Sequence, residues 1–212
     1  MKKIILTLLG TFFTTAIVFA QSGSDARESL AIGGKIGLNY SNIYDSQSEN
    51  FDANPKIGFV AGGFLSIPIG KYFGIQPEVL YSQRGFTASG TFLGSRYDLN
   101  RTLSFLDIPI LFAIKPTQTL TVLFGPQYSY LLKQRDEFSN SFMTTVQEQE
   151  FKNDNIRRNL FCLTGGVDFN FKNLVLGVRT GLDMTNNKGD GTSTTPRYKN
   201  IWVQGTVGFR IY

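Results

Sequence analysis

Histidine is absent from all 212 residues. That absence excludes the Ser-His and related nucleophile–base systems of barrel hydrolases and acyltransferases, and histidine-based metal sites with them. Cysteine is nearly absent too: Cys162 stands alone, so no internal disulfide can staple the fold. Without a second thiol or a histidine base it reads as a small strand residue, neither nucleophile nor ligand. No glycine pattern of a phosphate or dinucleotide loop occurs. Asp183, Asp190, Asn186 and Asn187 lack the spacing of a twelve-residue calcium loop. The formal charge is +5, but the basic residues are scattered, so nucleic-acid binding is not expected. The expectation is a non-enzyme with no metal and no cofactor.

Long apolar runs are also missing after Ala20, so any later passage through a membrane must use strands. The start is different. Met1, Lys2 and Lys3 precede an apolar stretch from Ile4 to Phe19, followed by Ala20 and Gln21, the three regions of a signal peptide. The stretch is short for roughly 30 Å of hydrocarbon, which favours cleavage after Ala20 over anchoring. No cysteine sits at the junction, so lipoprotein processing is not indicated. The chain divides into a signal peptide (1–20), a short N-terminal segment (21–30) and one domain (31–212).

What is present in that domain is alternation. Apolar residues at every second position predict an all-β domain of about eight strands: Ala31–Tyr44, Lys56–Ile69, Tyr72–Gly85, Arg101–Ile114, Thr119–Gln134, Ile156–Asn170, Asn173–Thr185 and Lys199–Tyr212. Short turns at Gly70–Lys71, Lys115–Gln118 and Phe171–Lys172 alternate with long polar connections at Asp45–Pro55, Phe86–Asn100, Arg135–Asn155 and Asn186–Tyr198. This is the pattern of an up-and-down antiparallel transmembrane β-barrel with its short turns and both termini in the periplasm.

In the last strand Ile201, Val203, Gly205, Val207, Phe209 and Ile211 share one face, against Trp202, Gln204, Thr206, Gly208, Arg210 and Tyr212. A soluble barrel with an apolar interior would alternate as well. The sparse charges on the mixed faces, with the alternating loop lengths, favour an apolar face toward lipid. Lys35, Arg84, Arg179 and Arg210 would then meet Glu78, Asp107, Asp168 and Asp183 inside, where an isolated charge costs several kcal/mol. A charge-plugged lumen is the expectation; solvation of some of these residues at the rims is the plainer alternative. Glu78 and Asp107 as an acid–base pair is a weaker reading than salt bridging. Tyr40, Tyr44, Tyr72, Phe73, Tyr128, Tyr130, Tyr198 and Phe209 suit interfacial aromatic girdles.

Several strings carry a resemblance. Gly58-Phe-Val-Ala-Gly-Gly-Phe64, Ile75-Gln-Pro-Glu-Val-Leu-Tyr-Ser-Gln-Arg-Gly85, Phe105-Leu-Asp-Ile-Pro109, Phe124-Gly-Pro126, the stretch Gly177 to Leu182, and Val207-Gly-Phe-Arg210 recur along the domain. On these the chain resembles the PorT-like outer-membrane β-barrel proteins of Bacteroidetes. The resemblance implies an outer-membrane location, assembly by the barrel-assembly machinery, and a structural or partner-binding role as an accessory to secretion or envelope assembly. A carrier or transporter of a small hydrophobic ligand is the alternative, marked by an apolar cavity inside and charges outside. Pro77, Pro109 and Pro126 fall within strands, which predicts bulges or shifted boundaries there. The apolar register ends at Ile211, so Phe209 and Ile211 would replace a terminal membrane-facing aromatic.

Overall fold

A computed structural model describes residues 25–44, 52–92, 95–140, 144–149, 157–187 and 198–212. The expected signal peptide lies outside the described residues. Nine strands are described: β1 (Ala31–Tyr44), β2 (Asp52–Pro68), β3 (Phe73–Phe92), β4 (Ser95–Ile114), β5 (Leu120–Asn140), β6 (Thr144–Gln149), β7 (Asn159–Phe171), β8 (Leu174–Asp183) and β9 (Lys199–Ile211). Eight of them close an antiparallel ring, β1-β2-β3-β4-β5-β7-β8-β9, and β9 pairs back onto β1 from Ile32↔Ile211 to Tyr44↔Lys199. Closure satisfies the backbone groups of the wall without leaving an edge in lipid. The fold is the closed up-and-down barrel that the alternation implies.

The period of two sets the faces. On β1, Ile36 is 61% exposed and Lys35 only 6%; on β9, Phe209 is 58% exposed and Trp202 only 3%. The outer band of exposed Leu, Ile, Val and Phe far exceeds the patches that water-soluble monomers tolerate, whereas lipid accepts it without cost. On β3 the exposed apolar residues run from Phe73 to Tyr81, and on β9 from Ile201 to Ile211. These spans match the roughly 9–11 residues that a tilted strand needs to cross hydrocarbon.

One rim carries the tight turns. Gly70 takes a φ of 78° between β2 and β3, where the Ile69 amide donates to the Phe73 carbonyl at 2.8 Å; a left-handed conformation suits a residue without a Cβ. Lys172, with φ 53°, turns β7 into β8, and the Leu120 amide donates to Thr117 Oγ1 (3.0 Å) as β5 begins.

The opposite, loop rim differs from the sequence-based expectation. Phe86–Asn100, expected as a loop, is mostly ladder, since β3 and β4 stay paired until Phe92↔Ser95. In Arg135–Asn155, β5 continues to Asn140 and β6 folds back along it, from Ser139↔Thr144 to Gln134↔Gln149. These extensions continue the ladder past the last exposed apolar residues of the wall, Tyr81 on β3 and Leu132 on β5. The segments 45–51 and 188–197 of the other two connections lie outside the described residues.

The prolines also behave differently. Pairing on either side of Pro77, Pro109 and Pro126 keeps one register, Pro77↔Ile110 continuing into Leu80↔Asp107, so each removes ladder bonds locally without an inserted residue. The register shifts fall instead between Pro55 and Val60 and between Ser104 and Phe105. There the strands leave the apolar band and can twist more sharply.

Candidate functional site

The interior is filled in layers by side chains from opposing walls. In the layer nearer the turn rim, Glu78 of β3 accepts from Lys35 Nζ of β1 (2.5 Å), from Arg179 Nη1 of β8 (2.7 and 2.8 Å) and from Gln76 Nε2 (2.9 Å). Arg179 also holds Asp168 of β7 at 3.0 Å. β3 and β8 lie opposite each other in the ring, so the Glu78–Arg179 pair spans the lumen. Its charges balance, two cations against two carboxylates. Gly177 makes room for the layer: a Cβ there would lie 2.7 Å from Asp168 Oδ1 and 2.6 Å from Thr206 Oγ1.

A neutral layer follows, in which Gln204 Nε2 donates to Asn39 Oδ1 (3.0 Å) and Asn39 Nδ2 to Ser82 Oγ (2.9 Å). Above it Arg84 bonds Asp107, approaches Asp183 Oδ1 at 3.7 Å, and lies over the Trp202 ring at 3.6 Å and the Phe105 ring at 4.7 Å. Asp183 accepts further from Asn200 Nδ2 (2.5 Å) and from Cys162 Sγ (3.1 Å). This layer holds one cation against two carboxylates. Arg84 is braced on two aromatic faces besides, contacts that gain strength where water is excluded.

The mouth at the loop rim is apolar. Phe86, Ala88, Leu103, Phe105, Leu131, Leu160, Tyr198 and Trp202 form one packed cluster, with Tyr198 edge-on to Phe86 at 5.3 Å. Arg101 and Asp136 form a bidentate pair at its margin, both bonds 2.8 Å, and Arg101 also donates to the Tyr198 hydroxyl.

Seven of the eight residues singled out by the sequence thus meet in two separate groups. Arg210 does not. It stands at the turn rim, donating to the Lys172 carbonyl (3.1 Å) and to Asn170 Oδ1 (2.9 Å), because its position is the penultimate one of β9, where the lumen opens. Tyr198, expected in a girdle, points inward and is 2% exposed. Glu78 and Asp107 sit in different layers, each with its own cation, and do not form an acid–base pair. Sequence reasoning missed the Arg101–Asp136 pair, whose members lay in or beside segments read as loops. It also missed Gln76 and Asn39, which share inward faces with Glu78 and Lys35. Among the described residues no group of three or more Asp, Glu or Cys could hold a metal ion.

A strap crosses the turn rim. Asp25 accepts from Arg27 Nη2 (2.6 Å) and lies 3.6 Å from Lys71; Arg27 donates to the Pro116 carbonyl (3.3 Å) and stands over the Tyr72 ring. Lys115 Nζ donates back to the Arg27 carbonyl (3.1 Å) and to Ser66 Oγ (3.3 Å). The Arg27 hydrogen bonds hold the Asp25 carboxyl well below the usual carboxylate range, and burial pushes the Lys115 ammonium down.

A family model described as "Outer membrane protein beta-barrel domain" matches residues 19–195. Among solved structures, the attachment invasion locus protein Ail of Yersinia pestis is 13% identical, covering 86% of this chain and 99% of its own, with a TM-score of 0.47. Neisserial surface protein A is 10% identical over 84% and 97%, TM-score 0.48. OprG of Pseudomonas aeruginosa is 12% identical over 86% and 95%, TM-score 0.45. No curated protein matches the chain.

Proposed function

Since the chain belongs to the outer membrane protein β-barrel domain family, we propose that it is a non-enzymatic, non-conducting barrel of the outer membrane whose working surface is its loop rim. The carrying observation is the Glu78–Arg179 bridge, made across the lumen by side chains that are 0% and 3% exposed. An open pore needs a continuous column of water, and paired charges joining opposite walls interrupt it. The apolar cluster at the mouth is packed on itself, which speaks against a carrier of small hydrophobic ligands. With the wall committed to lipid and the interior to its own side chains, partners are left with the projecting strands and loops.

Residues 1–20 act as a cleaved signal peptide, residues 21–30 lead into the barrel, and the turn rim with both termini faces the periplasm. Insertion depends on the barrel-assembly machinery. The PorT-like resemblance extends this to an accessory role in secretion or envelope assembly.

Two experiments test the proposal. In planar bilayers the purified barrel is expected to give no large steady unit conductance; such conductance overturns the plugged reading. Deletion of the gene is expected to impair secretion or envelope integrity, and unchanged secretion with an intact envelope removes the accessory role.

A further inference from the structure

Past Tyr81, the last exposed apolar residue of β3, the outward face of β2, β3 and β4 is polar. The ladder sets Asn54 of β2, Thr87 of β3 and Asn100 of β4 in one cross-strand row, and Ser89 beside Asp98 in the next. Thr87 and Ser89 on the central strand are the shortest of these side chains, so the face dips along β3 between its neighbours. The dip is a groove of about 260 Å³, lined by those residues with Ala88 and Leu99 between them.

The groove is held firmly on its β4 side. Lys56 Nζ donates to Asn100 Oδ1 (2.6 Å) and to Thr102 Oγ1, Asn100 Nδ2 donates to Glu137 Oε2 (3.1 Å), and Arg135 Nε donates to Glu137 Oε1 (2.9 Å). The Asn100 amide is thereby fixed in orientation, yet it keeps one N–H and one lone pair open. Across from it, the Asn54, Thr87 and Ser89 side chains have no hydrogen-bond partner among the described residues, and Thr87 and Ser89 are half-buried. The cations close by are committed, Lys56 to Asn100 and Thr102 and Arg135 to Glu137, and Asp98 is engaged within the chain.

We propose that the groove binds an uncharged saccharide, whose hydroxyls exchange hydrogen bonds with Asn54, Thr87, Ser89 and Asn100. Amides and hydroxyls each offer a donor and an acceptor, and a sugar hydroxyl answers both. The groups stand about 5 Å apart across the strands and about 7 Å apart along β3, the span of the hydroxyls around one sugar ring. A phosphate or sulfate would meet the Asp98 carboxylate with no uncommitted cation to hold it. An apolar ligand, the usual occupant of a concave site, would strand the polar lining. The proposal rests on the reading of the loop rim as the working surface and names the ligand class that surface takes; it does not need a closed lumen.

Solution NMR of the folded barrel in micelles tests it, read on the side-chain NH2 resonances of Asn54 and Asn100. The probes are glucose, galactose, mannose and N-acetylglucosamine, glucose 6-phosphate as an anionic counterpart, and a monogalactosyl lipid carried in the micelle. At least one neutral sugar is expected to shift both resonances saturably, and to bind more tightly than glucose 6-phosphate. Thr87→Val and Ser89→Ala should each weaken that binding about fivefold, and together by more than about tenfold, while Thr117→Ala at the turn rim leaves it unchanged. Folding of every variant is checked by heat-modifiable gel mobility, and the single variants decide the matter if the double one does not fold. Saturation by a free sugar assigns the groove to a soluble glycan, and saturation by the galactosyl lipid alone assigns it to a lipid-borne one. No shift with any neutral probe, undiminished binding by the Thr87 and Ser89 variants, or a preference for glucose 6-phosphate overturns the proposal. Lumen conductance is read separately, so an open pore refutes the plug without touching the groove, and an unresponsive groove leaves the plug standing.

Discussion

Removing Glu78 should unbalance the barrel more than removing an ion pair. Glu78 is 2% exposed and accepts from Lys35, Arg179 and Gln76. Glu78→Gln keeps the shape but leaves Lys35 and Arg179 facing Asp168 alone, an excess of one buried positive charge. Stranding a buried charge in this way costs about 3–5 kcal/mol. With a urea dependence of about 2 kcal/mol per molar for a chain of this class, the unfolding midpoint in micelles should fall by about 2 M. Trp202, the only tryptophan, lies against Arg84 beyond the neutral layer and reports the transition by its emission. The double variant K35M/E78Q removes one charge of each sign and leaves Arg179 with Asp168, at 3.0 Å, as a neutral pair. It should recover about half of the loss or more, because the cost lies in the unmatched charge and not in the missing bonds. A midpoint shift below about 0.5 M for E78Q, or a double variant as unstable as the sum of its single changes, would refute the reasoning.

Three further outcomes follow from the geometry. Gly181→Val should cost about 1–3 kcal/mol of stability and shift the emission of Trp202, since a Cβ at position 181 would lie 2.3 Å from the indole ring; an unchanged spectrum and midpoint would contradict the packing. The strap at the turn rim should stay docked in mild acid. The Asp25 carboxyl titrates below its ordinary value of 3.8, so its contribution is complete above that value and is lost only as pH falls through the lower folded one. Arg27 Nε–H resonances should therefore hold from neutrality to about pH 4, and Asp25→Asn should speed tryptic cleavage after Arg27 at neutral pH. Replacing residues 87–98 by a short turn should leave heat-modifiable mobility intact, because the lipid-facing part of β3 ends near Tyr81; loss of the folded band would show that the projection is needed for barrel closure.

What the sequence made legible follows the solvent. Within the bilayer one side of every strand meets lipid and the other meets its own side chains, so β1 is bounded at Ala31–Tyr44 as the alternation marks it. Outside the bilayer that contrast fades. The upper half of β3, from Phe86 to Phe92, keeps Phe86 and Ala88 inward but sets Thr87 and Ser89 outward, which reads as polar loop although the ladder continues. Register was no more legible at the prolines, because a strand can lose a ladder bond without gaining a residue. Inward position was legible for the charged residues, and Arg210 shows its limit: facing inward at the last turn of the wall places a side chain at the rim and not in the lumen.

Which inward residues meet is a property of the closed ring and not of any strand. Glu78 and Arg179 are 101 positions apart, and they touch because eight strands make an interior narrow enough for side chains from opposite walls to meet. The layer is also addressed by sign. Lys35 approaches Glu78 from β1 and Asp168 approaches Arg179 from β7, so exchanging the two central charges would set Lys35 against an arginine and Asp168 against a glutamate. A balanced count of charges on the inward faces is therefore necessary for a sealed interior but not sufficient. The strand that carries each sign must lie opposite its complement, and the flanking residues must agree with both. In this barrel the neutral Asn39, Ser82 and Gln204 separate the balanced layer from the Arg84 layer, where two carboxylates share one cation braced on Trp202 and Phe105. The first group thus settles its charge locally, whereas the second keeps one carboxylate in excess and holds Asp183 with the neutral donors Asn200 and Cys162 as well as with Arg84.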